Sequence, residues 1–169
     1  MHPDVLDAEI NALLDDLLGA DAERTAETDL EELAADYAQT FLHGMPPFGS
    51  HYLDPTGLLN ADATGEVGSL YRAHGFVVDA TRAAAEDHLG VELEFLAYLL
   101  EQEAAAGEAG RPEAGAQVRA WRLEFLDRHL LPFALLFLVA AAETARSRFY
   151  RALCTATRET LIDLRRLAP

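Results

Sequence analysis

The sequence predicts an all-α fold, a single-domain helical bundle of about six to eight helices, and three observations lead there. Ala, Leu, Glu and Arg, all strong helix formers, are abundant. Apolar residues recur at three- and four-residue steps along most of the chain. No stretch sustains the period-two alternation of β-branched residues that marks a strand. With 169 residues, the chain suits one domain over 1–169, since domains usually run to roughly 100–200 residues. That length buries a core without disulfide or metal staples.

Leu6, Ile10, Leu13, Leu14, Leu17 and Leu18 place a first helix over Val5–Leu18, stopped by Gly19. Thr28 and Asp29 are candidate caps for a second helix reaching about Leu42, with Leu30, Leu33, Ala34, Tyr37, Ala38, Phe41 and Leu42 as its apolar face. Gly44-Met45-Pro46-Pro47-Phe48-Gly49 reads as a rigid loop, and Tyr52-Leu53-Asp54-Pro55-Thr56-Gly57 as a turn. An irregular span of about twenty residues is long for a compact domain, and such loops are often functional. A third helix is expected over Thr64–His74, ended by Gly75, with a short helical piece over Asp79–Glu86. A strong helix follows from Asp87 to about Ala106, burying Val91, Leu93, Phe95, Leu96, Leu99 and Leu100, while Glu92, Glu94, Glu101 and Glu103 supply charge. Residues 104–112 read as a flexible, low-complexity connection. The next helix spans Glu113–Leu131 and is expected to break at Pro132. Phe133–Ala142 is apolar nearly all round, which predicts a central, buried helix. Ser147–Leu167 completes the set.

Charge narrows the function classes. The chain carries 29 Asp and Glu against 13 basic residues, all Arg, for a net charge of −16. Such a surface repels phosphate backbones and argues against non-specific nucleic-acid binding. A single cysteine, Cys154, cannot form an internal disulfide or a cysteine-based zinc or iron–sulfur site. The start, Met1-His2-Pro3-Asp4, lacks the basic region of a secretory signal. The longest apolar run, Leu130–Ala142, is short for a bilayer span and contains Pro132. A soluble, cytoplasmic protein is the expectation. Acidic residues crowd the first 36 positions, which hold a dozen acids and one base, Arg24. Charge runs of this kind are either solvated faces or surfaces that steer an arginine-bearing partner.

Asp87-His88, with Glu92 four residues after His88, is the sharpest polar cluster. Asp87 is a candidate N-cap, and His88 and Glu92 lie one turn apart on one face. That pattern fits an ordinary capped helix, a polar spot for a guest's arginine or backbone, or a metal-binding pair. The metal reading lacks the second Glu-x-x-His set of a di-iron bundle. His129 beside the apolar run fits a hydrogen-bonded core histidine, and His43, His51 and His74 lie near loop ends. No Gly-x-Ser-x-Gly elbow and no phosphate loop is present. Phe48, Tyr52, Leu53, Leu58 and Leu59, in or beside turns, either plug the core or line a groove for a peptide that joins an apolar stretch to arginines.

Three blocks carry a family resemblance. The first is Pro46-Pro47-Phe48-Gly49-Ser50-His51-Tyr52-Leu53-Asp54, followed by Leu70-Tyr71-Arg72-Ala73-His74-Gly75-Phe76. Glu86-Asp87-His88-Leu89-Gly90-Val91-Glu92-Leu93-Glu94-Phe95-Leu96 forms the second. The third is Phe125-Leu126-Asp127-Arg128-His129-Leu130-Leu131-Pro132-Phe133, then Phe149-Tyr150-Arg151-Ala152-Leu153. In order and spacing they resemble the TorD/DmsD/NarJ family of molybdoenzyme maturation chaperones, most strongly over 33–164. Ala85 stands where that family's signature carries Pro, and Phe133 where it usually carries Trp.

The resemblance implies a TorD-like all-α fold and a chaperone, not an enzyme, with no cofactor and no metal of its own. The implied partner is the apo form of a molybdopterin oxidoreductase catalytic subunit of the DMSO reductase family. The chaperone binds that subunit's N-terminal, twin-arginine type signal peptide and assists cofactor insertion and export quality control. Neither nucleic acid nor stable membrane insertion is implied, and the oligomeric state is monomer or homodimer. Carried over by position, the signal-peptide-binding candidates are Phe48, Tyr52, Gly75, Phe76, Asp87, His88 and Glu92. Asp87 and Glu92 would offer acidic contacts to guest arginines, and Phe48 and Tyr52 would hold the apolar segment. A helical metal-dependent enzyme using His88 and Glu92, or a helical small-ligand sensor or adaptor, are the alternatives.

Overall fold

The computed structural model describes residues 26–53, 62–78 and 85–167, with backbone only at 26–29 and 62–63. The expected helix over Val5–Leu18, the turn at Asp54–Gly57 with Leu58 and Leu59, and most of the piece at Asp79–Glu86 lie outside these residues. Among the described residues every regular element is helical, and one antiparallel bridge joins Phe48 and His88. The all-α expectation is met. The helices are α1 Ala26–Tyr37, α2 Gly49–Leu53, α3 Asp62–Ala73, α4 Leu89–Glu108, α5 Pro112–Phe125, α6 Leu131–Thr144 and α7 Arg148–Arg166. They fall into two compact units, one of residues 26–46 and 136–164, the other of residues 47–53, 62–78, 85–135 and 165–167.

In the first unit, α1 starts at Ala26, so Thr28 and Asp29 lie inside its first turn rather than capping it. A π turn, Ala38–Leu42, continues the helix, with the His43 N–H reaching back five residues to the Ala38 carbonyl at 2.9 Å. Its buried side differs from the expected one. Leu30 and Leu42 are exposed, whereas Asp36 and Thr40 are buried. The Asp36 carboxylate accepts from the backbone N–H groups of Arg146 (3.0 Å) and Ser147 (2.7 Å), far along the chain, and from the Thr40 hydroxyl (3.3 Å). Those N–H groups belong to the two residues that lead into α7, whose first turn is capped in turn by Ser147 Oγ accepting from the Tyr150 N–H at 3.2 Å. Burial pushes the Asp36 carboxyl up, but these hydrogen bonds outweigh it and hold the group below its ordinary value. Phe41 packs on Phe137 and Tyr150, and Cys154 and Leu161 of α7 are buried.

In the second unit, α4 pairs with α5. The carboxylate of Glu103 accepts from Arg119 Nε (2.6 Å) and from buried Arg122 Nε (2.9 Å). The connection between them is tighter than the low-complexity sequence suggests. α4 runs on to Glu108, Gly110 takes φ +65°, and Pro112 opens α5, where its missing N–H costs nothing. Tyr71, Phe95, Leu96, Leu99, Phe125, Leu126, Leu130 and Phe133 form the core. The ring centroids of Tyr71 and Phe95 stand 4.7 Å apart, and those of Phe95 and Phe125 4.9 Å apart, edge to face. Each such fully buried side chain contributes roughly 1.5–3 kcal/mol.

Pro132 does not break the helix it sits in. A second π turn, Leu126–Leu130, joins α5 to α6, and the Leu131 N–H returns five residues to the Leu126 carbonyl. Proline inside a helix lacks a donor and crowds the carbonyl four residues back. The wider π turn just before Pro132 supplies the room. The result is a continuous 33-residue helix, Pro112–Thr144, the one helix among the described residues long and apolar enough to cross a membrane by length and composition. The apolar run read as too short is therefore part of a longer element. Nor is the run buried all round: Phe133, Ala134, Phe137, Leu138 and Ala141 are buried, but Leu136 is 69% exposed.

Candidate functional site

The segment 47–50 is laced to the start of α4. The Leu89 N–H donates to the Pro47 carbonyl, and the Gly49 N–H to the Asp87 carbonyl, each at 2.8 Å. The Asp87 carboxylate then accepts from the Ser50 N–H, also at 2.8 Å. Ser50 stands in the first turn of α2, so Asp87 satisfies an open donor there, 37 residues away in sequence. The expectation that Asp87 caps its own helix is corrected. His88 is the N-cap of α4, in extended conformation, and its Nδ1 accepts from the Gly90 N–H at 3.0 Å.

This cap requires a neutral imidazole with its proton on Nε2. Burial lowers the His88 pKa, while the charge of Asp87 opposes the shift. The contribution of the cap is therefore present above the ordinary histidine value and is lost as pH falls through the lowered one.

Phe48 lies edge to face with His88, their ring centroids 5.2 Å apart. Gly49 permits close approach: a Cβ there would stand 3.2 Å from both Glu92 Oε1 and the Phe133 ring. Tyr52 stacks on Phe133 at 6.0 Å. Tyr52 and Leu53 therefore belong to a short helix rather than to the expected turn.

Asp87 and Glu92 are each 1% exposed. As folded, neither carboxyl is at the surface where it would touch a guest arginine. Burial, and secondarily the charge of Asp87, raise the Glu92 pKa well above its ordinary value, favouring the neutral carboxyl. Asp87 Oδ1, Glu92 Oε2 and Ser50 Oγ are buried with no hydrogen-bond partner among the described residues. Gly75, at φ +75°, ends α3, and the Phe76 N–H returns to the Tyr71 carbonyl at 2.9 Å. Phe76 then packs against Tyr71, Phe95 and Tyr98. Tyr71 links the two groups of candidates, donating its hydroxyl hydrogen to the Glu86 carbonyl at 2.9 Å. The structure thus gathers Phe48, Tyr52, Asp87, His88 and Glu92 around Gly49 and Phe133, and sets Gly75 and Phe76 on the Tyr71–Phe95 side of the same unit.

Sequence reasoning passed over a cleft of about 790 Å³ in this unit. Glu66, Ser69 and Leu70 of α3, then His74, line one side. Phe95, Trp121, Glu124, Phe125, Arg128 and His129 line the other. The rings of His74 and Trp121 are 4.4 Å apart, and His129 stacks on Phe125 at 5.9 Å. The signal was present in the spacing: Trp121, Glu124, Phe125, Arg128 and His129 fall at steps of three, one, three and one, a single helical stripe. The sequence groups His74 with His43, His51 and His88 near loop ends and leaves His129 by the apolar run, so nothing in it indicates that His74 and His129 meet across one cleft. Among the described residues no group of three or more His, Cys, Asp or Glu is placed to hold a metal ion.

The model of the nitrate reductase delta subunit family matches residues 4–138. This chain belongs to that family, the TorD/NarJ maturation chaperones. Among its curated relatives, the chaperone protein TorD of Vibrio atlanticus (strain LGP32) is 29% identical over 131 residues, 75% of this chain and 60% of that protein. TorD of Aliivibrio salmonicida (strain LFI1238) is 30% identical over 133 residues, 76% of this chain and 60% of that protein. TorD of Vibrio cholerae serotype O1 (strain ATCC 39315 / El Tor Inaba N16961) is 36% identical over 107 residues, 59% of this chain and 46% of that protein. The matched part of the chain thus spans between about half and three-fifths of these relatives' length. The TorD/NarJ family and these relatives are chaperones rather than enzymes. All three blocks that carried the sequence resemblance begin within the matched region, which ends in α6.

Proposed function

We propose that this chain is a cytoplasmic, system-specific chaperone for the apo form of a molybdopterin oxidoreductase of the DMSO reductase family. It binds the enzyme's N-terminal, twin-arginine type segment and assists cofactor insertion and export quality control. The observation that carries the reading is the 47–53 segment fastened to the start of α4. It holds the half-buried Phe48, Tyr52 and His88 on a hydrogen-bonded base. A peptide with an apolar stretch binds well to such pre-set aromatic groups, because little freedom is lost on docking. Gly75 and Phe76, on the Tyr71–Phe95 side, are further candidates for the apolar segment. Asp87 and Glu92 act from behind it as positioning residues, Asp87 by holding Ser50 and Glu92 by packing under Gly49. Net charge −16 favours encounter with a cationic segment.

The test is calorimetric titration with the N-terminal peptide of the molybdoenzyme encoded nearest to this chain's gene. Binding in the micromolar range or tighter is expected, weakened when the paired arginines are replaced by Ala. Phe48→Ala with Tyr52→Ala is expected to weaken it at least tenfold while leaving the helical circular dichroism intact. Undiminished affinity in the double variant would remove this face from the reading, and absence of binding to any such peptide would overturn the reading itself.

A further inference from the structure

The cleft beside Trp121 joins aromatic rings to carboxylates, and that chemistry indicates what it suits. Its walls are flat rings, and its open side carries exposed Glu66 and Glu124. Trp121 is 37% exposed, packed by His74 and therefore held in place with an edge open to solvent. Both carboxylates line the same cleft as the half-buried His129. A guanidinium already sits at the rim: Arg128 Nη1 donates to Glu124 Oε1 at 2.8 Å, in a pair whose side chains are 71% and 59% exposed. An exposed pair of this kind is weak and exchangeable. The cleft holds two carboxylates and one arginine, and that arginine is paired with Glu124, so Glu66 leaves capacity for a second cation.

We infer that this cleft binds the guanidinium group of a peptide arginine, stacked on Trp121 and hydrogen-bonded by Glu124 and Glu66. A guanidinium suits it better than an ammonium because it is planar, less strongly hydrated, and able to stack and to bind a carboxylate with two parallel hydrogen bonds. A purely apolar guest would offer nothing to the two carboxylates, and an anion would meet them directly. The inference rests on the proposed function only for the source of the peptide. It moves charge recognition from the buried Asp87 and Glu92 to a surface that is open.

Trp121 is the only tryptophan in the chain, so fluorescence excited at the red edge of indole absorption reports on this cleft alone. The experiment titrates the whole chain with a synthetic peptide bearing two adjacent arginines before a short apolar stretch, followed by Trp121 emission and by calorimetry in parallel. A saturable change in emission matching the calorimetric isotherm is expected. An about tenfold loss of affinity is expected both for the peptide with lysines in place of arginines and for the Glu66→Gln, Glu124→Gln double variant. Both glutamates are exposed, so the double variant tests recognition rather than folding. Calorimetric binding with unchanged Trp121 emission, and with unchanged affinity in the double variant, would overturn the inference while leaving peptide binding at Phe48 and His88 in place. No heat with any peptide would overturn both.

Discussion

Replacing Asp36 by Ala tests the account of how α7 is started. Asp36 is 6% exposed and receives three hydrogen bonds, two of them from the N–H groups of Arg146 and Ser147. A hydrogen bond to a charged group contributes roughly 1.5–3 kcal/mol. The two N–H groups share one carboxylate, and Arg146 is exposed enough for water to replace part of what is lost. The long Thr40 contact adds little. The expected cost is about 3 kcal/mol, above the usual loss of roughly 1 kcal/mol for a helix cap. For a chain of this size that corresponds to a fall in Tm of about 6–12 °C. Urea unfolding followed at 222 nm would measure it.

The pH dependence gives a second handle. The Asp36 pKa is held below its ordinary value, so its stabilisation is complete above the ordinary aspartate range and is lost as pH falls through the lowered value. Asp36→Asn should therefore be less stable than the parent at pH 7, with the gap closing toward pH 3. A cost below about 1 kcal/mol for Asp36→Ala at pH 7, or a gap between parent and Asp36→Asn that does not change with pH, would refute the reasoning.

Two further outcomes are expected. Because the Glu92 pKa is raised, its contribution is fully present below the ordinary glutamate range and is lost as pH rises through the raised value. Glu92→Gln should accordingly gain on the parent in urea midpoint as pH rises above the ordinary glutamate range, whereas a difference between the two that does not change with pH would contradict a raised Glu92 pKa. Gly75→Ala puts a side chain at φ +75° with its nearest neighbour, Tyr98 Oη, 3.7 Å away, so crowding is absent and backbone strain of about 1–2 kcal/mol should appear alone in the unfolding free energy.

The helices were legible because their signal is local. Leu89, Phe95, Leu96 and Leu99 repeat with the period of one face, and α4 lies close to its expected span. The burial of Glu92 was legible on the same ground, since it stands three residues before Phe95 and four before Leu96. Its charge, beside Glu94 and one turn from His88, points instead to an open polar face. What no local pattern carries is a side chain that serves a distant element. Asp36 turned inward because of two N–H groups 110 and 111 residues away, and this displaced Leu30 and Leu42 from the expected buried face. Asp87 looked like the cap of its own helix because the donor it serves, on Ser50, is brought near only by the bridge between Phe48 and His88. The cleft escaped for a similar reason: its helical stripe was readable, but Glu66 and His74 come from another part of the chain.

The π turn at Leu126–Leu130 has a consequence for how this chain's helices are aligned with others. One extra residue in a turn rotates everything after it by about 100° relative to an unbroken α-helix. A relative lacking that residue would show a one-position gap in the middle of a helix, where gaps are least expected. Its apolar pattern would then be out of phase on one side of the gap. Deleting any one residue from 126–130 in this chain should have the same effect, turning the outward-facing Leu136 toward a new side and moving the buried Phe137 off its own. Pro132 holds the setting in place, because a regular α-helical ladder through it would require an N–H that it does not have.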